Sequence, residues 1–594
     1  MSRPTLRVVA LGWRLARHQP RRFAIGAALW IAWWASPFFV GLTLQAVFDA
    51  IAGQQPATLS LGALLALFAA IEASRLAVFS TGVMIWRRWW TYAETLLREN
   101  MLRAQLASGN SEAGRPVKGS GSAVAVFRDD ANDFVRFVDT WVDISGAMLF
   151  AALAIPVMLR IDTAVTLVVL APLAAAYLVT RLLTERLQSY HRADREATAL
   201  VTGFLGNLFS SVLAVKVAGA EAAVIRRLRA LNATRKTAAL RDQLLSDGMD
   251  AFNGSTIDLT IGLVLLLVAP AMRTGAFTVG DLVLFASYVT SLAALPRWSG
   301  RLLVRHRQAQ VAASRMAALM PAQDAFAVVT HRRLQLDGQL PATPRARPAA
   351  PRPAAVQIRG LGYQFADGHG VAGVDLDLPA GSFTVVSGPV GSGKSTLLRA
   401  LLGLVGPAQG TVRWDDRVVT DLAAHMTPPR CAYLPQVPTL FSAPLRDNLT
   451  LGVSTAEDTL GAAVRRAALD ADVASMADRL DTVIGPRGVR LSGGQIQRAA
   501  TARALLGDPA LLVLDDLSSA LDAETERLLW ARLLDGAPSD DRQAAGRARP
   551  TCLVVSHRAA ALERADQIVL LEDGRIRAVG TLDELRSAGL DPLA

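Results

Sequence analysis

Six apolar stretches of membrane-spanning length precede residue 305, at about 23–47, 61–86, 141–160, 163–182, 253–272 and 279–299. A hydrocarbon layer of about 30 Å takes roughly 20 residues of helix. Lipid offers no partner to backbone N–H and C=O groups, so a helix that closes its own hydrogen bonds is the economical way across. The first half of the chain therefore reads as an all-α domain of six transmembrane helices. The composition agrees, with 52% hydrophobic residues and a mean hydropathy of +0.30, values unusual for a soluble enzyme. The third and fourth stretches are almost continuous, and Arg160, Ile161 and Asp162 mark a tight turn between them.

The formal net charge of +11 could signal nucleic-acid binding, but its placement points elsewhere. The connections after the first, third and fifth stretches are short and carry few basic residues. Those after the second and fourth are long and basic, with Arg87, Arg88, Arg98, Arg103 and Arg128 in one and Arg186, Arg192, Arg195, Lys216 and Arg226 in the other. Lys and Arg concentrate on the cytoplasmic side of membrane proteins. Both termini and both long connections are thus expected inside, in a multi-pass protein of the cell (plasma or inner) membrane that contacts the lipid bilayer and binds no nucleic acid. The long connections still carry a helical pattern, so the spanning helices are expected to continue beyond the lipid. The basic N-terminus (Arg3, Arg7, Arg14, Arg17, Arg21, Arg22) leads into an apolar run too long for a signal peptide. That run reads as a retained first helix, with no peptidase domain expected before it. Cys431 and Cys552 stand in no CxxC or Cys/His cluster and read as buried thiols.

Residues 341–355, PATPRARPAAPRPAA, form a semi-rigid linker by composition. Beyond it the pattern changes to short β-rich runs, glycine turns and helices, as in a soluble α/β domain. The expected organisation is a membrane domain over 1–320, a linker over 321–355 and a nucleotide-binding domain over 356–594. A second Ala/Arg/Gly/Pro patch near 536–550 reads as a surface loop.

In the second domain, Val385-Val386-Ser387 ends a buried strand. It leads into Gly388-Pro389-Val390-Gly391-Ser392-Gly393-Lys394-Ser395-Thr396 and then the helical run Leu397–Leu402. This is GxxxxGK[ST] in its strand–loop–helix setting. The glycines let backbone N–H groups wrap phosphates, and the helix N-terminus adds partial positive charge. Lys394 is expected on the β- and γ-phosphates of ATP, and Ser395 on Mg²⁺. A second metal ligand should be an Asp closing a buried apolar strand, which Leu511-Leu512-Val513-Leu514-Asp515 provides.

Leu491-Ser492-Gly493-Gly494-Gln495 follows the glycine loop by about 100 residues and resembles the signature of ATP-binding cassette transporters. Gln436 in YLPQVPTLF resembles the Q-loop glutamine of that family, Ser519-Ala520-Leu521-Asp522 its D-loop, and His557 after LVVS its switch histidine. The likeness covers roughly 356–594 by motif, and the six spans with two long connections resemble exporter-type half-transporters. The string VKVAGAE at 215–221 resembles a coupling region of those exporters. The resemblance implies an adenine-stacking aromatic at Phe365, with Tyr363 as the alternative, and adds Gln436 to the metal ligands. It further implies catalytic roles for Asp516, Gln436 and His557. Two cassettes would sandwich ATP, each holding nucleotide on its glycine loop and closing Ser492, Gly493 and Gly494 over the other subunit's nucleotide.

Two departures stand out. The family usually has Glu as general base where this chain has Asp516. The shorter side chain withdraws the carboxylate by ~1 Å, a displacement that can cost on the order of 10²-fold in rate. A weakened site of its own implies a second, different half-transporter as partner, with a homodimer as the alternative. Pro486 stands where exporters often have Glu. Within the spans, Glu72 and Arg75 are expected to pair at i, i+3 spacing. Asp258 and Arg297 are further charged positions, and Trp30, Trp33 and Trp34 read as packing or interface anchors. The cargo is not specified. An exported amphipathic small molecule, lipid or peptide is the first expectation, and import of a siderophore or cofactor on the same scaffold the alternative.

Overall fold

The structure is a computed structural model. It describes residues 4–53, 59–107, 123–274, 276–320, 323–334, 351–365, 368–406, 408–485, 489–534 and 549–592. The chain divides into two compact units, one of residues 1–104 and 116–336 and the other of residues 105–115 and 337–594. Most of the proline-rich stretch, the patch near 536–550 except its last two residues, and Pro486 lie outside the described residues.

The first unit is entirely helical among the described residues. Five segments are long and apolar enough to cross a membrane: Pro20–Ala52, Leu61–Leu106, Ala123–Ile161, Thr163–Phe209 and Glu221–Arg273. The sixth expected span is the shorter apolar helix Val279–Leu292, continued past Ala293 by Ala294–Ala318. Large apolar side chains on these helices face outward: Leu76 is 67% exposed, Leu182 69% and Leu266 77%. Water would not tolerate that much contiguous apolar surface, and lipid does. The helices Leu61–Ala107, Thr163–Ser210 and Glu221–Arg273 hold 47, 48 and 53 residues. At 1.5 Å per residue they reach about 70–80 Å, more than twice the hydrocarbon thickness.

The first span is not the single helix expected from its apolar run. It is two, Pro20–Ala35 and Pro37–Ala52, broken at Ser36. Pro37 has no N–H to give to the carbonyl four residues back. The Ser36 hydroxyl takes that place, donating to Trp33 O at 2.6 Å. Arg75 Nε in turn donates to Ser36 Oγ at 2.8 Å while Arg75 Nη1 pairs with Glu72 at 2.6 Å. The Glu72–Arg75 pair thus forms and also secures the break. Asp258 is exposed on its helix, and the side chain of Arg297 lies outside the described residues. The turn expected at 160–162 is present, with Asp162 capping the next helix through Val165 N at 3.0 Å.

Pro37–Ala52 lies along Val279–Leu292. The approach is closest at Gly280, whose N–H donates to Asp49 Oδ1 at 3.0 Å. A Cβ there would sit 2.3 Å from Gln45 O and 2.5 Å from Asp49 Oδ1. Gly280→Ala is expected to destabilise this helix pair by about 1–3 kcal/mol through overpacking. Thermal unfolding in detergent checks this, with Gly262→Ala, where nothing lies within 4 Å, expected to match the wild type. After Ala318 the chain is strapped to the first unit. Asn100 Nδ2 donates to Val328 O and Thr330 O, both at 2.8 Å, and His18 Nε2 stands 2.6 Å from Val329 O.

The second unit is α/β. Strands β1 (Ala355–Gln364), β2 (Gly370–Pro379), β4 (Gln409–Trp414) and β5 (Arg417–Val418) make an antiparallel sheet in the order β2-β1-β4-β5. Strands β3 (Phe383–Ser387), β6 (Cys431–Leu434), β7 (Leu511–Asp515), β8 (Thr551–Val555), β9 (Gln567–Glu572) and β10 (Arg575–Gly580) make the second sheet, ordered β10-β9-β3-β8-β7-β6. Every residue of β3, β7 and β8 is buried, as strands covered on both faces require. Helices between β6 and β7, among them Leu445–Thr450, Glu457–Arg466 and Gly493–Leu505, make a helical subdomain. Cys431 and Cys552 are both buried and free.

Candidate functional site

The parallel strands β3 and β7 flank β8, and functional residues crowd the C-terminal edge of these strands. At the end of β3, Gly388–Gly393 turns into the helix Lys394–Leu401. Gly393 has φ 97°, and a Cβ there would lie 2.8 Å from Gly370 O, so the sharp entry to the helix requires glycine. Lys394 Nζ donates to Gly388 O at 2.7 Å and Pro389 O at 2.8 Å, holding the ammonium over the loop. Burial pushes its pKa down, opposed by Asp515 and Asp516. Ser392 is buried with its hydroxyl unpartnered, Val390 is fully exposed, and Thr396 lies in the first turn of the helix.

At the end of β7, Asp515 accepts from Ser395 Oγ at 3.1 Å and from Tyr433 OH at 3.5 Å. Burial pushes this carboxyl above its ordinary range, and the Ser395 hydrogen bond partly offsets that. A carboxylate beside a hydroxyl on a glycine loop is the hard-oxygen donor pair that suits a divalent cation whose other ligands are phosphate and water. Tyr433 was not identified from the sequence, and its place two residues after Cys431 on β6 carries no local signal.

Asp516 follows with φ 55°, a left-handed conformation that Asp tolerates better than most residues. Its N–H donates to Val555 O at 3.1 Å. Gln436 Nε2 approaches its Oδ2 at 3.4 Å. His557 Nδ1 stands 3.3 Å from Ser387 Oγ. Burial and Lys394 hold this imidazole below its ordinary pKa and favour its neutral form, opposed by Asp516. The glycine loop, Gln436, Asp515, Asp516 and His557 thus form one cluster. Tyr363 and Phe365 pack edge-on at 5.0 Å at the end of β1.

The signature stands apart from that cluster. Among the described residues, no hydrogen bond joins it to the glycine loop. Ser492 caps the helix Gly493–Leu505 in a capping box with Gln495: Ser492 Oγ accepts from Gln495 N at 3.2 Å and Gln495 Oε1 from Ser492 N at 2.8 Å. Leu491 packs on the core beneath, while Ser492 and Gly493 are exposed. Ser519, Ala520, Leu521 and Asp522 run beside this helix, and Asp522 caps the next one through Thr525 N at 2.9 Å.

The ABC transporter family model matches residues 371–519, and that of the ABC transporter transmembrane region matches residues 24–294. An "ATP-dependent lipid A-core flippase" of Chromohalobacter salexigens is 31% identical over 432 residues, 71% of this chain and 69% of that protein. The chain belongs to the ABC transporter family. It is a half-transporter, with one membrane region fused to one cassette, and a multi-pass membrane protein. Two further relatives match over less of their length. A lipid A-core flippase of Burkholderia orbicola is 36% identical over 255 residues, and the mycobactin import ATP-binding/permease protein IrtB of Mycobacterium bovis 36% over 230. The chain spans 41% and 38% of the length of these two. "Structure of a bacterial Atm1-family ABC exporter with ATP bound" superposes with TM-score 0.71 at 23% identity, covering 96% of this chain and 98% of that one, which establishes the shared fold.

The membrane unit of this transporter carries a half-open cavity of about 970 Å³. Its wall carries both charges, with Asp139, Asp143, Asp194 and Arg136, Arg301, Arg305 among the lining residues. Trp30 and Trp34 Nε1 both donate to Asp143 Oδ1, at 2.8 and 3.0 Å, and Trp86 Nε1 donates to Asp139 Oδ1 at 2.7 Å. The first two indoles therefore do more than pack or anchor, as the sequence had suggested. They orient a carboxylate on the cavity wall.

Proposed function

We propose that this chain uses ATP and Mg²⁺ to export an amphipathic small molecule, lipid or peptide, as one subunit of a dimer. The observation that carries this is the assembly of Lys394, Ser395, Asp515, Asp516, Gln436 and His557 at one edge of the cassette sheet, on the same chain as lipid-facing helices around a charged cavity. Lys394 and the loop N–H groups grip the β- and γ-phosphates. Ser395, Asp515 and Gln436 would hold Mg²⁺, which supplies charge neutralisation at the phosphates when bound. Asp516 accepts the proton of the attacking water, and His557 orients it. Phe365 or Tyr363 stacks on adenine. The Ser492–Gly494 helix tip, exposed at Ser492 and Gly493, closes over the partner subunit's nucleotide.

Asp516 in place of Glu favours a partner with a stronger site, hence a heterodimer over a homodimer. Basic long connections favour a cell-membrane protein with both termini and the cassette cytoplasmic. The likeness to a mycobactin importer keeps one second reading, import of a siderophore or cofactor. Inside-out vesicles separate the two. ATP-dependent accumulation of cargo inside the vesicle is the expected result, and ATP-dependent loss of preloaded cargo reverses the direction. A stable, fully active dimer of this chain alone overturns the heterodimer.

A further inference from the structure

Opposite charges share the wall of the membrane cavity without pairing with each other. Arg136, Asp139 and Asp143 lie on one face of the helix Ala131–Ile161, and Arg301 and Arg305 lie one turn apart on Ala294–Ala318. Among the described residues, no ion pair joins Asp139 or Asp143 to an arginine. Asp143 is only 7% exposed, and its Oδ1 accepts from Trp30 and Trp34 Nε1 at 2.8 and 3.0 Å. Asp139 Oδ1 accepts from Trp86 Nε1 at 2.7 Å. Arg301 lies over the ring of Trp298, 4.9 Å from its centroid, and Trp34 braces Trp298 edge-on at 5.3 Å. Elsewhere on the same wall the fold does join charged groups: His191 Nδ1 meets Asp242 Oδ2 at 2.6 Å, and Arg305 reaches Asp133 at 3.4 Å. Asp139, Asp143 and Arg301 are instead held in place by uncharged indoles.

We propose that this cavity selects cargo carrying a primary ammonium beside an anionic group, carboxylate or phosphate, on an apolar body. Asp139 and Asp143 take the ammonium, and Arg301 takes the anion. The proposal rests on the export reading above and narrows its cargo. A neutral donor fixes a charge without cancelling it. Indole N–H groups leave the negative charge on the carboxylates, and a ring face leaves the positive charge on the guanidinium. Charge buried without a counter-charge is costly, and like charges one turn apart on a helix repel. A ligand bearing both signs offsets both costs together, whereas a ligand of one sign leaves the opposite group on the wall unmet. The guanidinium fork suits carboxylate and phosphate equally, and an ammonium can give charge-assisted hydrogen bonds to both carboxylates. The volume of about 970 Å³ leaves room for the apolar body against Trp90 and Trp298, which also line the cavity.

The test is binding to the full-length transporter in phosphatidylcholine nanodiscs, without nucleotide, followed by tryptophan fluorescence. Lysophosphatidylethanolamine and trileucine carry both charges. Lysophosphatidylglycerol and N-acetyltrileucine lack the ammonium, and oleylamine and trileucine amide lack the anion. At least one of the first two is expected to bind about tenfold tighter than its single-charge counterparts, and which one does so tells a lipid headgroup from a peptide. Asp143→Asn, which keeps an oxygen for the two indoles, is expected to erase the preference over the probes without an ammonium. Arg301→Gln is expected to erase the preference over the probes without an anion, and Arg301→Lys to retain it. A purely structural role would weaken all probes alike. Arg301 is exposed, so its variants report even if thermal unfolding shows that Asp143→Asn fails to fold. Equal affinity of the wild type for all probes, preferences unchanged in the variants, or a uniform loss across probes overturns the proposal. ATP hydrolysis by the wild type and Lys394→Ala in the same preparation separates this from the underlying reading. Turnover that needs Lys394, beside binding indifferent to charge, removes only the cargo class. Turnover that survives Lys394→Ala removes the nucleotide reading and leaves the binding result standing.

Discussion

Lys394→Ala is expected to lower ATP turnover by on the order of 10²–10³-fold, the usual cost of removing one preorganised donor from a site of developing charge. Its ammonium stands over the glycine loop, 2.7 and 2.8 Å from the carbonyls of Gly388 and Pro389. Those carbonyls are neutral acceptors that an ammonium can leave for phosphate oxygens, which bind it more strongly. Burial already lowers the lysine's pKa, so anionic phosphate restores what desolvation takes away. Lys394→Arg is expected to rescue little, because a planar guanidinium does not fit the space of a compact ammonium. ATPase activity and nucleotide trapping measure the effect. Normal trapping and normal transport by Lys394→Ala would remove the role assigned to the loop.

Asp516→Glu is expected to raise ATP turnover by about 10- to 100-fold, since one added methylene advances the carboxylate by ~1 Å toward the attacking water. The gain has a structural cost. Asp516 sits at φ 55°, where Asp is tolerated and Glu less so, and the folded state should lose about 1 kcal/mol. The variant is therefore expected to hydrolyse faster and unfold at a lower temperature. Asp516→Asn keeps the geometry and the approach of Gln436 at 3.4 Å but cannot take a proton. If Asp516 is the working base, its ATPase rate falls well below wild type. Equal rates in wild type, Asp516→Asn and Asp516→Glu would show that the residue takes no part.

Gly388–Thr396 and Asp515 were read from local strings, and Gln436, Leu491–Gln495, Ser519–Asp522 and His557 from their resemblance to the motifs of the family. Such strings can be read because the constraints are local: glycine for the tight entry to a helix, an apolar strand closing on a carboxylate, a cap at a helix start. The membrane helices were legible for a similar reason, because an uninterrupted apolar run of sufficient length has few other uses.

What the sequence left open needed residues far apart in the chain. Nothing near Trp30 or Trp34 announces Asp143, more than 100 positions away, yet that pairing turns two indoles from packing groups into donors on a cavity wall. Pro37 was not read as a break in the first span, and only the structure shows Ser36, held by Arg75, satisfying the freed carbonyl. The attachment of Gln497 to Ser519 and Ala520 was equally invisible. The sequence alone determined the elements, their chemistry and their order, because hydrophobic run length, backbone preference and motif spacing act within a few turns of chain. The tertiary structure decided which distant polar groups meet, because a buried donor takes whichever acceptor the packing brings within 3 Å or so, whatever its place in the sequence.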